Sequence, residues 1–221
     1  FDDKSKKATV SSLADMHRLL KKEARNGERI FPYIGGSELN EAPDHSHHRY
    51  VINFGNLTES QARQWPDLMA IVEANVKPQR LSDKRASYRN YWWQYAEKRA
   101  ELAIAVDRAS RVLATNAQAS KHLCFAFLQP GAVFANSLNI FPLEQWSAFA
   151  ALQSTTHETW ARFLSSSMKD DLRYNPSDCF ETFPFPKDWQ TDSTLEAAGE
   201  TYYAFRADLM IRNDEGLTKT Y

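Results

Sequence analysis

Three histidines in one octapeptide, His45, His47 and His48 of PDHSHHRY, could do chemistry by type and spacing. Clustered imidazoles can hold a metal. Structural zinc, however, takes four ligands, commonly cysteines at set intervals, and no cysteine stands near this Pro/Asp/Ser loop. Loop histidines on a surface are the plainer reading. His157 precedes Trp160 by three residues, which reads as a core or interface histidine rather than a general base. Asp170 and Asp171 are adjacent, so a regular element turns them apart; they read as turn or cap residues rather than a carboxylate pair. Cys124 and Cys179 lie far apart with no Cys-x-x-Cys pair. Each reads as a buried free thiol, which fits a reducing cytoplasm. There is no G-x-x-x-x-G-K-[ST] phosphate loop and no G-x-S-x-G elbow. Gly35-Gly36 alone reads as a turn.

The stretch RVLATNAQASKHLCF offers a different chemistry, that of recognition. Nucleic-acid readers need cations for phosphates and planar polar side chains for base edges. Asn116 and Gln118 have the amide geometry for two-point contacts to adenine, and Lys121 can reach a guanine or a phosphate. Ser120 and His122 can add single hydrogen bonds. Exposed polar hairpin loops are common, so these residue types alone also fit an ordinary surface loop.

Elements must position that loop. Residues 10–24 read as an amphipathic helix capped by Ser12, with Leu13, Met16 and Leu20 on one face. RIFPYIGGSELN is β-rich but broken by Pro32 and the two glycines, and HRYVINF (48–54) reads as a strand ended by Gly55. Thr58 and Gln61 have capping-box spacing and start a helix to about Ala74, with Pro66 imposing a kink or a short preceding turn. A second helix from about Ser82 places Tyr88, Tyr91, Trp92 and Tyr95 on one face. Residues 111–141 read as a β-meander or hairpin set, and 144–164 as one long helix carrying Phe149, Leu152, Trp160 and Phe163. KDDLRYNPSDCFETFPFP (169–186) then crosses without helical periodicity. A last helix from a cap at Thr191 or Asp192 to about Arg212 has the stripe Leu195, Ala198, Tyr202, Phe205 and Leu209. The pattern predicts an α+β class, a mostly antiparallel sheet with packed helices. Residues 1–9 are expected to be a linker or disordered start, and 10–221 a single domain.

The 221 residues are 43% hydrophobic and 25% charged, an ordinary core-forming composition. No apolar run approaches the roughly 18 residues of a membrane span, and FDDKSKKATV lacks the apolar core of a secretory signal. The chain begins with Phe1 rather than Met, so it reads as a fragment of something longer or a processed product. The net charge of −1 hides a segregation. From Lys77 to Lys121 ten Lys/Arg stand against four Asp/Glu, a net of +6; from Glu181 to Gly216 three stand against eight, a net of −5. A basic middle of this kind meets phosphates or forms a solvated helix face.

The segments IFPYIGGSELN, HHRYVINFG, YWWQYAEKR, SKHLCFAFLQPGAVFANSL, HETWARFLSSSMKDDLRYNPSDCFETFPFP and NDEGLTKTY occur in that order. Over about residues 10–221 they resemble the C-terminal target-recognition region of bacterial adenine-specific DNA methyltransferases of the type IIL, MmeI-like group. The resemblance implies a domain that binds duplex DNA and reads the target, beside a methyltransferase module that flips the adenine and methylates its N6 from S-adenosylmethionine. It implies a bacterial, cytoplasmic restriction–modification enzyme of phage defence, in which a nuclease can be fused. Base readout would fall on Gln118 and Ser120, with Asn116, Lys121 and His122 adjacent. Arg111, Lys169, Arg173 and Tyr174 would hold the DNA backbone, with an internal salt bridge to Asp170 or Asp178 the alternative for Arg173. Phe180, Phe183 and Phe185 would anchor the segment across the core or against the methyltransferase module, with simple packing the plainer reading. The sequence has no Asn-Pro-Pro-[Phe/Tyr] or Asp-Pro-Pro-Tyr motif, no Gly-rich cofactor turn and no convincing nuclease set. This chain is therefore expected to carry no cofactor and no catalytic residue of its own. Its partners would be double-stranded DNA and the parent's methyltransferase domain, with no membrane. One rival reading is a docking domain of the same enzyme with DNA read elsewhere. Another is a small-molecule enzyme using His157 or the histidine triplet.

Overall fold

The computed structural model describes residues 1–95, 99–118, 120–168 and 171–221. In its first half lie α1 (Leu13–Lys22), a 3-10 turn (Ala24–Arg29), β1 (Ile30–Ile34), α2 (Gly36–Glu41), β2 (Arg49–Ile52), α3 (Glu59–Ala62), α4 (Pro66–Asn75), α5 (Lys77–Leu81), α6 (Ala86–Asn90) and α7 (Ala100–Arg108). There follow β3 (Val112–Asn116), β4 (Phe125–Leu128), β5 (Val133–Phe134), β6 (Leu138–Phe141), α8 (Trp146–Leu152), α9 (Thr155–Leu164), β7 (Ser166–Met168), β8 (Asp171–Arg173), α10 (Pro176–Cys179), α11 (Ser193–Asn213) and α12 (Leu217–Thr220). The class is α+β, and the β1–β2, β3–β4, β3–β6 and β7–β8 pairs are all antiparallel.

Within the stretch expected as one domain, the chain gathers into two compact units. The first comprises Phe1–Tyr33, His47–Ala103 and Gly131–Val133; the second comprises Ile34–Ser46, Ile104–Pro130 and Phe134–Tyr221.

In the first unit, Ser12 and Asp15 form a reciprocal capping box at the start of α1, and Thr58 and Gln61 form another at α3. Pro66 is the first residue of α4, where its missing N–H costs nothing. It thus separates two helices as its position predicts. Phe54, Trp65, Leu68, Met69 and Trp92 fill the core, and the Trp65 indole donates to the Arg25 carbonyl at 3.0 Å. The helix expected from Ser82 is shorter than its aromatic spacing suggests. It spans only Ala86–Asn90; Trp92 is buried, while Tyr91 and Tyr95 face solvent.

The second unit is built on β3, which lies between β4 and β6. The expected meander is corrected here: β5 joins the β2-β1-β5 sheet, and β6 crosses to the far side of β3. The expected long helix over 144–164 is two helices. Ser154 accepts the His157 N–H at 3.1 Å and caps α9. The Gln153 carboxamide just before it leaves the helix to serve β4, accepting from Phe125 N at 2.8 Å and donating to the Leu123 carbonyl at 3.0 Å. Phe163, assigned to that helix's apolar residues, is exposed.

On α11 the cap falls at Asp192 as expected, but the buried stripe does not. Gly199, Arg206 and Met210 face inward, whereas Ala198, Tyr202 and Phe205 face solvent. This is a rotation of one residue, about 100°. Two features set it. An added Cβ on Gly199 would lie 2.1 Å from the Trp146 carbonyl oxygen, so only glycine lets α11 seat on α8. The Arg206 guanidinium is buried because it donates to the Phe125 carbonyl at 2.7 Å, to Gln153 Oε1 and to the Tyr221 hydroxyl. The three phenylalanines of CFETFPFP pack as expected. Phe180 lies 4.7 Å from the Phe141 ring, and Phe183 lies 4.6 Å from His157 and 5.1 Å from Phe185.

Candidate nucleic-acid interface

Among its described residues, the loop after β3 is held by several hydrogen bonds, most of which use its main chain. β3 and β4 are in register from Val112↔Leu128 to Thr115↔Phe125, and β3 pairs with β6 up to Asn116↔Leu138. Beyond Asn116, Ala117 N donates to the Ser137 carbonyl at 2.8 Å. The Asn116 side-chain oxygen accepts the Gln118 N–H at 3.1 Å, closing an Asx turn. Ser120 then forms an antiparallel bridge to Leu172 of β8, with N···O distances of 3.0 and 2.9 Å. Its hydroxyl donates to the His122 carbonyl at 2.9 Å. From α9, Arg162 Nη2 donates to the Lys121 carbonyl at 2.7 Å while Nε and Nη2 hold Glu158 at 3.0 and 2.8 Å. Thr115 Oγ1 closes the base of the loop on the Cys124 carbonyl at 2.8 Å.

What projects from this frame is a short polar surface. Gln118 and Lys121 are exposed, and Ser120 and His122 are half-buried. The His122 ring lies 6.3 Å from that of Tyr221. On β8, Leu172 points inward and its neighbours Asp171 and Arg173 point outward. The Ser120–Leu172 bridge therefore sets Gln118, Ser120 and Lys121 beside the outward-facing Asp171 and Arg173 at one end of the unit.

Other expected site residues are placed differently. Asn116 is half-buried with its carboxamide oxygen already used by the Asx turn, so it shapes the loop rather than presenting a two-point edge. Tyr174 is corrected outright: it is 2% exposed, and its hydroxyl lies 3.2 Å from His157 Nε2 in the core. A phenol in that position cannot touch a DNA backbone. Arg111 stands at the opposite end of β3 from the loop, about 16 Å away along five strand residues. Its guanidinium lies 3.9 Å over Phe127 and 3.7 Å over Trp146, and its Nε donates to the Glu144 carbonyl at 2.7 Å. Burial lowers its pKa, opposed by nearby Glu196, Glu144 and Glu200. It is a packing cation in acidic surroundings and not part of this end. Lys169 lies outside the described residues.

The histidines make local structural bonds. His45 Nδ1 is 2.9 Å from the Leu39 carbonyl, and His47 Nε2 is 3.1 Å from the Tyr50 hydroxyl. His157 is fully buried with Nδ1 2.7 Å from the Leu152 carbonyl, and burial lowers its pKa. Among the described residues no group of three or more His, Cys, Asp or Glu side chains is placed to hold a metal. Both cysteines are free and buried, and burial pushes the Cys124 thiol up to about 12. Sequence reasoning missed Arg162 and Glu158 as supports of the loop. Their i,i+4 spacing in HETWAR signals the pair, but nothing local signals the carbonyl that Arg162 reaches 41 residues away.

Comparison with known proteins sets this geometry in context. The family described as MmeI, target recognition domain, matches residues 5–187. Among solved structures, the type IIL restriction-modification enzyme MmeI in complex with DNA superposes with a TM-score of 0.70 at 18% identity. The match covers 99% of this chain and 27% of that one, and at this identity it establishes the fold. No curated protein matches the chain.

Proposed function

Because the chain belongs to the MmeI target recognition domain family, we propose that it binds duplex DNA and reads base sequence on behalf of a longer restriction–modification enzyme. The observation that carries this reading is the loop after β3, whose backbone is tied down while Gln118 and Lys121 stay exposed. The Gln118 carboxamide pairs a donor with an acceptor, which matches the N7 acceptor and N6 donor of adenine in the major groove. The Ser120 hydroxyl has committed its proton to the His122 carbonyl, so it offers only lone pairs and favours base donors. Lys121 and Arg173 supply charge for guanine acceptors or phosphates. His122 stands behind them as a single-bond contact. Methyl transfer from S-adenosylmethionine to adenine N6 belongs, on this reading, to a methyltransferase domain elsewhere in the longer bacterial, cytoplasmic enzyme. This domain docks with it and holds the duplex while the base is flipped, a step that costs a few kcal/mol.

The docking-only reading has one observation in its favour: Phe205 and Tyr202 expose apolar surface on α11. A single experiment separates the two. The 221-residue chain is mixed with a random duplex library at low salt, bound duplexes are sequenced, and affinities are followed by fluorescence anisotropy. Target recognition gives an enriched motif, and Gln118→Ala relaxes one position of it by about 1–3 kcal/mol without changing the melting temperature. No duplex binding at the lowest salt, or no enriched motif, refutes the reading; an enriched motif left unchanged by Gln118→Ala removes Gln118 from the readout.

A further inference from the structure

From Ser120 to Cys124 every main-chain carbonyl of the loop after β3 accepts a hydrogen bond. Ser120 O takes the Leu172 N–H at 2.9 Å, Lys121 O takes Arg162 Nη2 at 2.7 Å and His122 O takes the Ser120 hydroxyl at 2.9 Å. Leu123 O takes the Gln153 carboxamide at 3.0 Å and Cys124 O takes the Thr115 hydroxyl at 2.8 Å. A peptide group is planar, so each of these bonds orients a whole plane. Lys121 lies between two of the held planes. The plane before its Cα is fixed through Ser120 O, and the plane after it through Lys121 O. With both planes fixed, the two soft dihedrals of Lys121 are set. So is the direction in which its side chain leaves the chain.

The second of these bonds comes from a long side chain on α9. An arginine left to itself samples many rotamers. Here Arg162 Nε and Nη2 both sit on one Glu158 carboxylate oxygen, at 3.0 and 2.8 Å, and Nη2 has a second hydrogen for the Lys121 carbonyl. Glu158 thus orders the guanidinium beforehand. Both side chains are 39% exposed, and an exposed pair of this kind adds little to stability. Its consequence is the aim of Lys121. A lysine carries a point charge on a flexible stem. Unaimed, that charge settles on a phosphate, a contact that carries no sequence information. Aimed into the major groove, it reaches the O6 and N7 acceptors of guanine.

We propose that Arg162, ordered by Glu158, is a positioning residue for base readout: it aims Lys121 by fixing the peptide plane that follows it, and does not itself touch DNA. The inference rests on the target-recognition reading and adds to it two residues outside the loop.

The test selects bound duplexes from a random library and follows affinity against salt, with the full 221-residue chain and its variants. Lys121→Met identifies the motif position that Lys121 sets. Arg162→Lys keeps the charge and loses the planar fork, so it should relax that same position about tenfold, within the range spanned by a lost base contact, with the salt slope unchanged. Glu158→Gln leaves the arginine in place and should relax the same position by a smaller factor. It also keeps the test open if Arg162→Lys folds poorly, and melting temperatures check both. A purely structural pair would lower the melting temperature and leave the motif alone, which overturns the proposal. Log affinity falls with log salt by about 0.9 per phosphate contact. A slope shallower by about that amount in Arg162→Gln, with an unchanged motif, would make Arg162 a phosphate contact and overturn it too. So would Glu158→Gln binding all duplexes more tightly alike, the mark of an acid that merely repels DNA. If Lys121→Met changes no motif position, there is nothing for Arg162 to aim, and the proposal falls while the target-recognition reading stands. If the parent chain binds no duplex or enriches no motif, both fall.

Discussion

Replacing His45 by asparagine should remove an acid-sensitive component of stability, and the structure sets its size. His45 sits among Pro43, Phe127, Tyr203 and Arg206, with Nδ1 on the Leu39 carbonyl at 2.9 Å. Burial, reinforced by the Arg206 charge, lowers its pKa from 6.5 to about 4; the Leu39 bond and Asp44 oppose this only in part. The unfolded chain therefore binds a proton near pH 6.5 that the folded chain refuses until about pH 4. The sign follows: the contribution is complete above about pH 6.5 and is lost as pH falls toward 4. A difference of about 2.5 pH units corresponds to about 3 kcal/mol at most. Asparagine is a suitable replacement because His45 has φ of 56°, a left-handed conformation that asparagine tolerates, and its amide can still donate to Leu39. Urea unfolding of both proteins between pH 7.5 and 4 is the assay. Other titrating groups, His157 included, cancel in the difference. The difference should be near zero slope above pH 7 and should grow in favour of asparagine by up to about 3 kcal/mol at pH 4. Parallel profiles would show that the His45 ring is hydrated and that Arg206 does not bear on it.

Two further substitutions test the packing around the site. Gly199→Ala places a Cβ 2.1 Å from the Trp146 carbonyl oxygen and 3.2 Å from the Ala150 Cβ, so α11 must shift off α8. A loss of about 1–3 kcal/mol or more in urea is expected, and an unchanged midpoint would mean the helices are not seated this closely. Tyr174→Phe strips the hydroxyl from buried His157 Nε2 and should cost about 1–3 kcal/mol with the salt slope of DNA binding unchanged. A shallower slope would return Tyr174 to the DNA backbone.

Sequence and structure part company where the deciding contact is distant. The caps at Ser12, Thr58 and Asp192 are local, since side chain and amide lie within three residues, and all three can be read from residue types. The face of α11 cannot be read that way. Its apolar residues run nearly all round, and the choice is made by Gly199 against Trp146 and by Arg206 against Phe125, 53 and 81 residues away. The break at Ser154 has a local signal in its serine cap, but spacing of Phe149, Leu152 and Trp160 across it masks the signal. The place of β6 beside β3 is fixed by pairing, to which strand composition is blind. The loop after β3 is legible as a polar stretch; that Tyr174 turns into the core depends on His157 and Phe125, which pack against its ring.

The construction of the loop after β3 bears on how its exposed side chains can change, which matters if, as proposed, they read bases. Its frame consists of the Ala117–Ser137 bond, the Ser120–Leu172 bridge and the Arg162–Lys121 bond, and each uses the loop's main chain. A main-chain bond is indifferent to the side chain of the residue that makes it, provided the backbone conformation suits. Gln118 and Lys121 can therefore be exchanged for other residue types without removing a single one of these ties. Asn116 and Ser120 differ, because the Asx turn and the bond to His122 use their side chains. Substitution at Gln118 or Lys121 should alter only what the loop offers to a partner. Substitution at Asn116 should move the loop itself and with it every group the loop presents.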